Sequence, residues 1–233
     1  MARLNLVAWH CYTGNDDDNV LAALSTWAAR YAYEPLHVFA LSEAASHHDA
    51  LAEWCNAHDW RLLQEKPERG RPRGDDTGDV AILLAPGVRL RVHWRARMRQ
   101  AWMVVRYRRV HEPHVYEVAG ISIPRKRRWL PGRRWRIEAA HWPTGGVNGR
   151  NREAWLESAR HARAWLARGR VPSIVVGDLN EQADTLADWY GPRFKVFGKR
   201  IDVAVTRGVT DCRWTELGKG GGDHHGRFYR FTA

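Results

Sequence analysis

Lysine is nearly missing from this 233-residue chain: only 5 of its 37 basic residues are lysine and 32 are arginine. Cysteine is scarce too, with three thiols at Cys11, Cys55 and Cys212. Three scattered thiols exclude a disulfide framework and a zinc knuckle, and the odd count fits a reducing compartment, so a cytoplasmic location is expected. No stretch approaches the roughly 20 consecutive apolar residues of a membrane-crossing helix, so no membrane association is expected. The N-terminus reads as a short strand that turns polar at Asn15–Asn19, without the long apolar region and cleavage site of a secretion signal. A fixed-period repeat and a linker long enough to divide two cores are both missing, which leaves residues 1–233 as one expected domain and a monomer as the expected state.

What is present is a soluble globular composition, 44% hydrophobic and 27% charged, with a formal charge of +11. Arginine presents a planar fork suited to bidentate phosphate contact, so a polyanionic partner, nucleic acid above all, is expected. A genome rich in G and C would enrich arginine codons as well. The 13 tryptophans are read mainly as core fillers, with some free to stack on bases.

The apolar pattern predicts strands over Leu4–Trp9, Leu36–Leu41, Val80–Leu84, Val88–Trp94, Ala101–Tyr107, Val115–Ile123, Trp135–His141, Val171–Val176, Ile201–Val205 and Gly226–Phe231. One helix carries Val20, Leu21, Leu24, Trp27 and Ala28, capped by Asp17 or Asp18. A second runs from about His48 to Asp59, and a third from about Asn151 to Ala167 with Trp155, Ala159, Ala162 and Leu166 on one face. Alternation at the start and between Trp135 and Val176, with a meander between, predicts a mixed α/β (α+β) fold of two packed sheets with helices on their outer faces.

Polar residues fall where the predicted strands stop. Glu43 ends one strand, His141 another, and Asp178 with Asn180 a third; Asp202 lies just inside a fourth, and Asp223-His224 precede the last. Side chains at strand ends can converge on one crevice. Carboxylates gathered there repel one another unless a cation neutralises them, and a hard ion such as Mg2+ or Mn2+ does so.

In that order the residues resemble the endonuclease/exonuclease/phosphatase superfamily of DNase I-like and abasic-site nucleases, inositol-polyphosphate phosphatases and sphingomyelinases. The most specific element is Val175-Val176-Gly177-Asp178-Leu179-Asn180. It is joined by Ala40-Leu41-Ser42-Glu43, Ala140-His141, Ile201-Asp202, Asp223-His224 and the strand entry Gly78-Asp79-Val80-Ala81. The resemblance spans nearly the whole chain and implies a four-layer, DNase I-like sandwich with divalent-metal-dependent phosphodiester hydrolysis, as a DNA or RNA nuclease. A phosphatase of a small phosphorylated metabolite or lipid headgroup is the alternative, and a non-catalytic nucleic-acid-binding protein another.

The resemblance implies a role for each matching residue. Glu43 is the metal-ligating carboxylate, and Asp223 completes the site directly or through water. Asp178 orients or deprotonates the attacking water, and Asn180 holds a phosphate oxygen or the nucleophile. His224, oriented by Asp202, and His141 act as donors to the scissile phosphate. The sequence departs from the family at His10, where an Asn usually ends the first strand. An imidazole there can bind substrate or ligate the metal and shift preference from Mg2+ towards Mn2+; it can mark reduced activity; or the register can slip so that Asn15 takes the place.

Basic segments bear on the substrate. Asn148, Arg150 and Arg152, shortly after His141, are expected to hold a phosphate beside the cleavage site, and Arg69, Arg71 and Arg73 lie in a polar segment. The densest run, Arg125-Lys126-Arg127-Arg128 through Arg133, Arg134 and Arg136 with Trp129 and Trp135 between, sits at the start of the strand that ends in His141. At about 3.4 Å per residue it lies roughly 24 Å from that histidine, so it is expected to grip a long polymer or a protein, or to be a solvated turn, rather than to take part in cleavage.

Overall fold

The computed structural model describes residues 3–12, 14–31, 34–64, 80–90, 114–122, 134–142, 146–149, 151–168 and 171–233. Arg69, Arg71 and Arg73, the Gly78-Asp79 entry, the strand expected at 101–107, most of that at 88–94, the run Arg125–Arg128 with Trp129 and Arg133, and Arg150 lie outside the described residues.

Among the described residues, two six-stranded mixed sheets form the framework. The first holds β1 (Arg3–His10), β2 (Val38–Ser42), β3 (Arg61–Leu63), β4 (Ala81–Leu84), β11 (Asp211–Glu216) and β12 (Arg227–Thr232), in the order β11-β12-β1-β2-β4-β3. The second holds β5 (Arg89–Leu90), β6 (His114–Ser122), β7 (Arg134–His141), β8 (Ser173–Asp178), β9 (Lys195–Lys199) and β10 (Asp202–Arg207), in the order β5-β6-β7-β8-β10-β9. Helices α1 (Asp17–Arg30) and α2 (His48–Ala57) cover the first sheet; α3 (Arg152–Arg168) and α4 (Ala183–Tyr190) cover the second. The four-layer DNase I-like arrangement expected from the sequence is present.

Period-two alternation decides which side chains go where. Leu4, Leu6 and Ala8 of β1, Val38 and Ala40 of β2, Trp135, Ile137 and Ala139 of β7, and Ile174 and Val176 of β8 point between the sheets and form the central core. Their neighbours in sequence face the helices: Val7, Trp9, Phe39 and Leu41 pack on α1 and α2, and Ala140 and Val175 pack on α3 and α4. Trp9, Trp27, Trp54, Trp135, Trp142, Trp155 and Trp165 are buried, as the core-filler reading expects. Each such ring contributes about 1.5–3 kcal/mol by burial, far more than a surface contact would.

Several boundaries differ from the sequence reading. Helix α1 is capped by Asp16, whose carboxylate accepts from the Asp18 N–H, and not by Asp17 or Asp18. The edge strands β9 and β11, the short β3 and the helix α4 are absent from the sequence reading; β11 is largely exposed, and β9 ends in exposed lysines. Strand β8 runs on through Asp178, two residues beyond its apolar run.

Candidate metal-dependent active site

The same alternation that fills the core builds the site. One step past the last inward core residue on β1, β7 and β8 come His10, His141 and Asp178, on the inward face at one end of the sandwich. Strand pairing sets them in register: β1 and β2 run parallel with His10 opposite Ser42, and β7 and β8 run parallel with His141 opposite Asp178. Antiparallel β10 places Asp202 opposite Asp178. The loop before β12 brings in Asp223 and His224, and the residue after β2 is Glu43.

His10 stands at the centre. It is 5% exposed. Its Nδ1 lies 3.1 Å from Asp223 Oδ1, and its Nε2 lies 3.3 Å from Glu43 Oε1 and 4.0 Å from Asp178 Oδ2. Its ring stacks on His224 at 4.5 Å between centroids and meets His141 edge-on at 5.4 Å. His224 Nδ1 is 3.1 Å from Asp202 Oδ1 and 3.9 Å from Asp178 Oδ2. Asn15 takes no part: its amide donates to the Cys11 and Gly220 carbonyls, which disposes of the register slip.

Local backbone explains why these residues hold still. Gly177, at φ +143°, carries β8 so close to β7 that a Cβ there would sit 2.1 Å from the Ala140 carbonyl oxygen; the glycine of Gly-Asp-X-Asn is a packing requirement. Asn180 adopts a left-handed φ of +50°, donates its side-chain amide to the Trp142 carbonyl at 2.7 Å, and gives its backbone N–H to Asp178 Oδ1 at 2.9 Å. Glu43 too is left-handed, at φ +51°, a conformation that costs on the order of 1 kcal/mol or more and tends to occur at functional sites.

Electrostatics separate the groups. Burial, reinforced by the Asp202 charge, raises the Asp178 carboxyl above its ordinary range, while His141, His10 and the Asn180 N–H oppose the shift. The hydrogen bond to Asp202 raises His224 despite partial burial, with Asp178 and Asp223 adding to it, so this ring favours its cationic form.

Asn148 and Arg152 are exposed on the segment that follows β7. Asn148 lies in a 3-10 turn (Gly146–Asn148) tied to the loop after β8 through Glu181 Oε2, which accepts from the Val147 N–H at 2.8 Å. Among the described residues neither Asn148 nor Arg152 touches the ionisable cluster. Arg136, in the basic run, lies at the far end of β7, stacked on Trp165 at 3.9 Å and donating to its carbonyl. The sequence reading missed Arg227. Buried beside Tyr229 and Phe231, it donates to the Lys199 and Asp202 carbonyls and braces Asp202 from behind. Its inward position in the alternation of β12 was the available signal.

The donor chemistry suits a divalent ion. Ligating atoms of His10, His141 and Asp178 lie within 4.8 Å of one another, as do those of His10, Asp223 and His224, and those of Asp178, Asp202 and His224. So many carboxylates around a shielded pocket need positive charge between them.

The sequence matches the Endonuclease/Exonuclease/phosphatase family over residues 9–224. No curated protein sequence matches the chain. Among solved structures it is similar to a humanised D. rerio TDP2 carrying 14 mutations, at 13% identity and TM-score 0.65 over 99% of each chain. D. rerio TDP2 with a single-strand DNA product aligns at 11% identity and TM-score 0.63 over 100% of both chains. A Bacteroides thetaiotaomicron mannosyl-6-phosphatase aligns at 13% identity and TM-score 0.62, covering 99% of this chain and 100% of that one. At these identities the structural likeness concerns the fold.

Proposed function

The chain belongs to the Endonuclease/Exonuclease/phosphatase family and carries the donor cluster of a metal-dependent hydrolase; from that premise we propose that it is a nuclease, hydrolysing phosphodiesters of DNA or RNA with Mg2+ or Mn2+. The observation that carries the reading is the convergence of Glu43, Asp178, Asp202, Asp223 and three histidines, from strands and the connections beside them, at one end of the sandwich.

Glu43 holds the cation, and Asp223 completes that site directly or through water. The ion, when bound, polarises the phosphate and stabilises the leaving alkoxide. Asp178, buried and with a raised carboxyl, accepts a hydrogen bond from the attacking water and draws off its proton. Asn180, fixed by the Trp142 carbonyl, keeps that water and a phosphate oxygen aligned. His224, whose ring proton Asp202 makes harder to lose, donates to the phosphoryl oxygens as charge grows on them, and His141 donates from β7.

The excess of arginine favours a polyanionic substrate, with Asn148 and Arg152, on the segment after β7, and Arg150, outside the described residues, as its phosphate contacts. A structural relative solved with a DNA product supports the same choice. A second reading, a phosphatase of a small phosphorylated metabolite, is supported by the equal likeness to a sugar-phosphate phosphatase. The protein is proposed to act as a monomer in the cytoplasm, with Cys55 and Cys212 thiols pushed up to about 12 by burial and therefore unreactive. The test is incubation of the purified protein with single-stranded, duplex and abasic DNA, RNA, a generic phosphodiester and a sugar phosphate, with and without each ion. Metal-dependent polymer cleavage is expected. Turnover of the sugar phosphate alone would transfer the assignment to the second reading, and no turnover at all would end both.

A further inference from the structure

His10 is the side chain that the mechanism leaves without a task, although more of the site touches it than any other residue. Both of its ring nitrogens face carboxylates: Nδ1 meets Asp223 at 3.1 Å, and Nε2 faces Glu43 at 3.3 Å and Asp178 at 4.0 Å. A neutral imidazole has one N–H and one lone pair. In the tautomer that donates Nδ1–H to Asp223, the Nε2 lone pair faces the oxygens of Glu43 and Asp178, where a cation can share it with a carboxylate. A histidine whose far nitrogen is held by a carboxylate while the near one faces other donors is the arrangement that orients imidazole ligands in metal sites.

We propose that His10 is itself a metal ligand through Nε2, with Asp223 orienting it, so that the site selects a transition-metal ion such as Mn2+ or Co2+ over Mg2+. The proposal rests on the metal-dependent reading above and narrows its choice of ion. Spacing agrees with it: donors about 2.0–2.2 Å from one ion sit roughly 3 Å or a little more from each other, and the His10–Glu43 separation is 3.3 Å. A further imidazole, His141, lies in the same group with Asp178. Mg2+ demands oxygen and gives up its waters reluctantly, whereas later divalent ions take imidazole nitrogen readily.

The test is calorimetric titration of the metal-free full chain with Mn2+, Co2+ and Mg2+ in turn, together with the visible absorption spectrum of the Co2+ form. It is made on wild type and on His10→Asn, whose amide can still reach Asp223 but offers no donor at the Nε2 position. Later ions bind most sites more tightly than Mg2+, so the change in ratio between the two proteins decides the matter. Expected is a loss of roughly 10-fold or more in Mn2+ and Co2+ affinity in the variant, with Mg2+ affinity within about twofold and an altered Co2+ spectrum. Retained Mg2+ binding also serves as the check on folding. An unchanged ratio and spectrum would overturn the proposal while leaving a metal-dependent hydrolase intact. Wild type binding no divalent ion would overturn both, and His10-dependent binding without turnover would uphold the ligand and remove only the nuclease.

Discussion

The two halves of the mouth are built by different means. The half supplied by the second sheet sits on strand residues locked by pairing, with His141 opposite Asp178 and Asp178 opposite Asp202. The half supplied by the first sheet has one strand residue, His10, and takes Glu43, Asp223 and His224 from connections. Exposure follows the same division: the Asp178 side chain is 4% exposed, that of Asp223 51%. The loop carrying Asp223 is cast on tryptophan, since Trp9 Nε1 donates to the Lys219 carbonyl and a Cβ on Gly220, at φ +60°, would lie 2.7 Å from Ala23 and 2.9 Å from Trp9. One half is fixed by backbone register and suited to aligning a nucleophile. The other is set by loops and suited to admitting an ion and a phosphate.

This contrast can be broken first at Asp178. Asp178→Asn is expected to lower kcat by about 10³-fold at any metal concentration. Because burial raises this carboxyl in the folded state, its ionised form opposes folding above the ordinary carboxylate range, so the variant is expected to melt at or above the wild-type Tm near neutral pH. A large fall in Tm would show Asp178 to be structural instead. Glu43→Gln, in the loop-built half, is expected to cost 10–100-fold at limiting metal and to recover when metal is raised; a loss that excess ion leaves untouched would erase the difference between the halves.

A smaller effect lies in the bridge between them. The Asp202 hydrogen bond raises His224, so this pair contributes stability that is complete below the unfolded histidine value and disappears as pH rises through the higher folded one. The rate should fall through the same window as the ring loses its proton. Asp202→Asn is expected to move that limb to lower pH and slow turnover several-fold above it, as a pH–rate profile would read; a limb that does not move would separate His224 from the phosphate.

The smallest effect on activity is expected at the opposite end of the sandwich. His37 accepts the Asn5 N–H at Nδ1, and burial lowers it from 6.5 to about 4, so it is neutral when folded. The folded state therefore loses on the order of 3 kcal/mol as pH falls from 6.5 to about 4. His37→Asn keeps an acceptor without a titrating ring. Denaturant melts should lose that part of the acid dependence while turnover stays at the wild-type rate; an acid dependence identical to wild type would place the titration elsewhere.

Sequence made one half of the mouth more legible than the other. Val175-Val176-Gly177-Asp178-Leu179-Asn180 could be read because a buried strand, its close-packed glycine and its polar end are local features. Glu43 and Asp223 could be picked out as residues flanking strands, but the imidazole between them could not be foreseen at the centre. That position depends on β1 lying beside β2 and facing β7 and β8, which is long-range information. Arg227 went unread for the same reason, since its partners are the carbonyls of Lys199 and Asp202. The edge strand β11 escaped because its largely exposed residues have no apolar period to announce them.

The most direct test is a crystal structure of the protein grown with Mn2+, read at a wavelength where manganese scatters anomalously. A single strong peak held by Glu43 and His10, with Asp178 beside it, is the predicted result. A peak bound elsewhere on the molecule, with those three side chains turned away from one another, would contradict it.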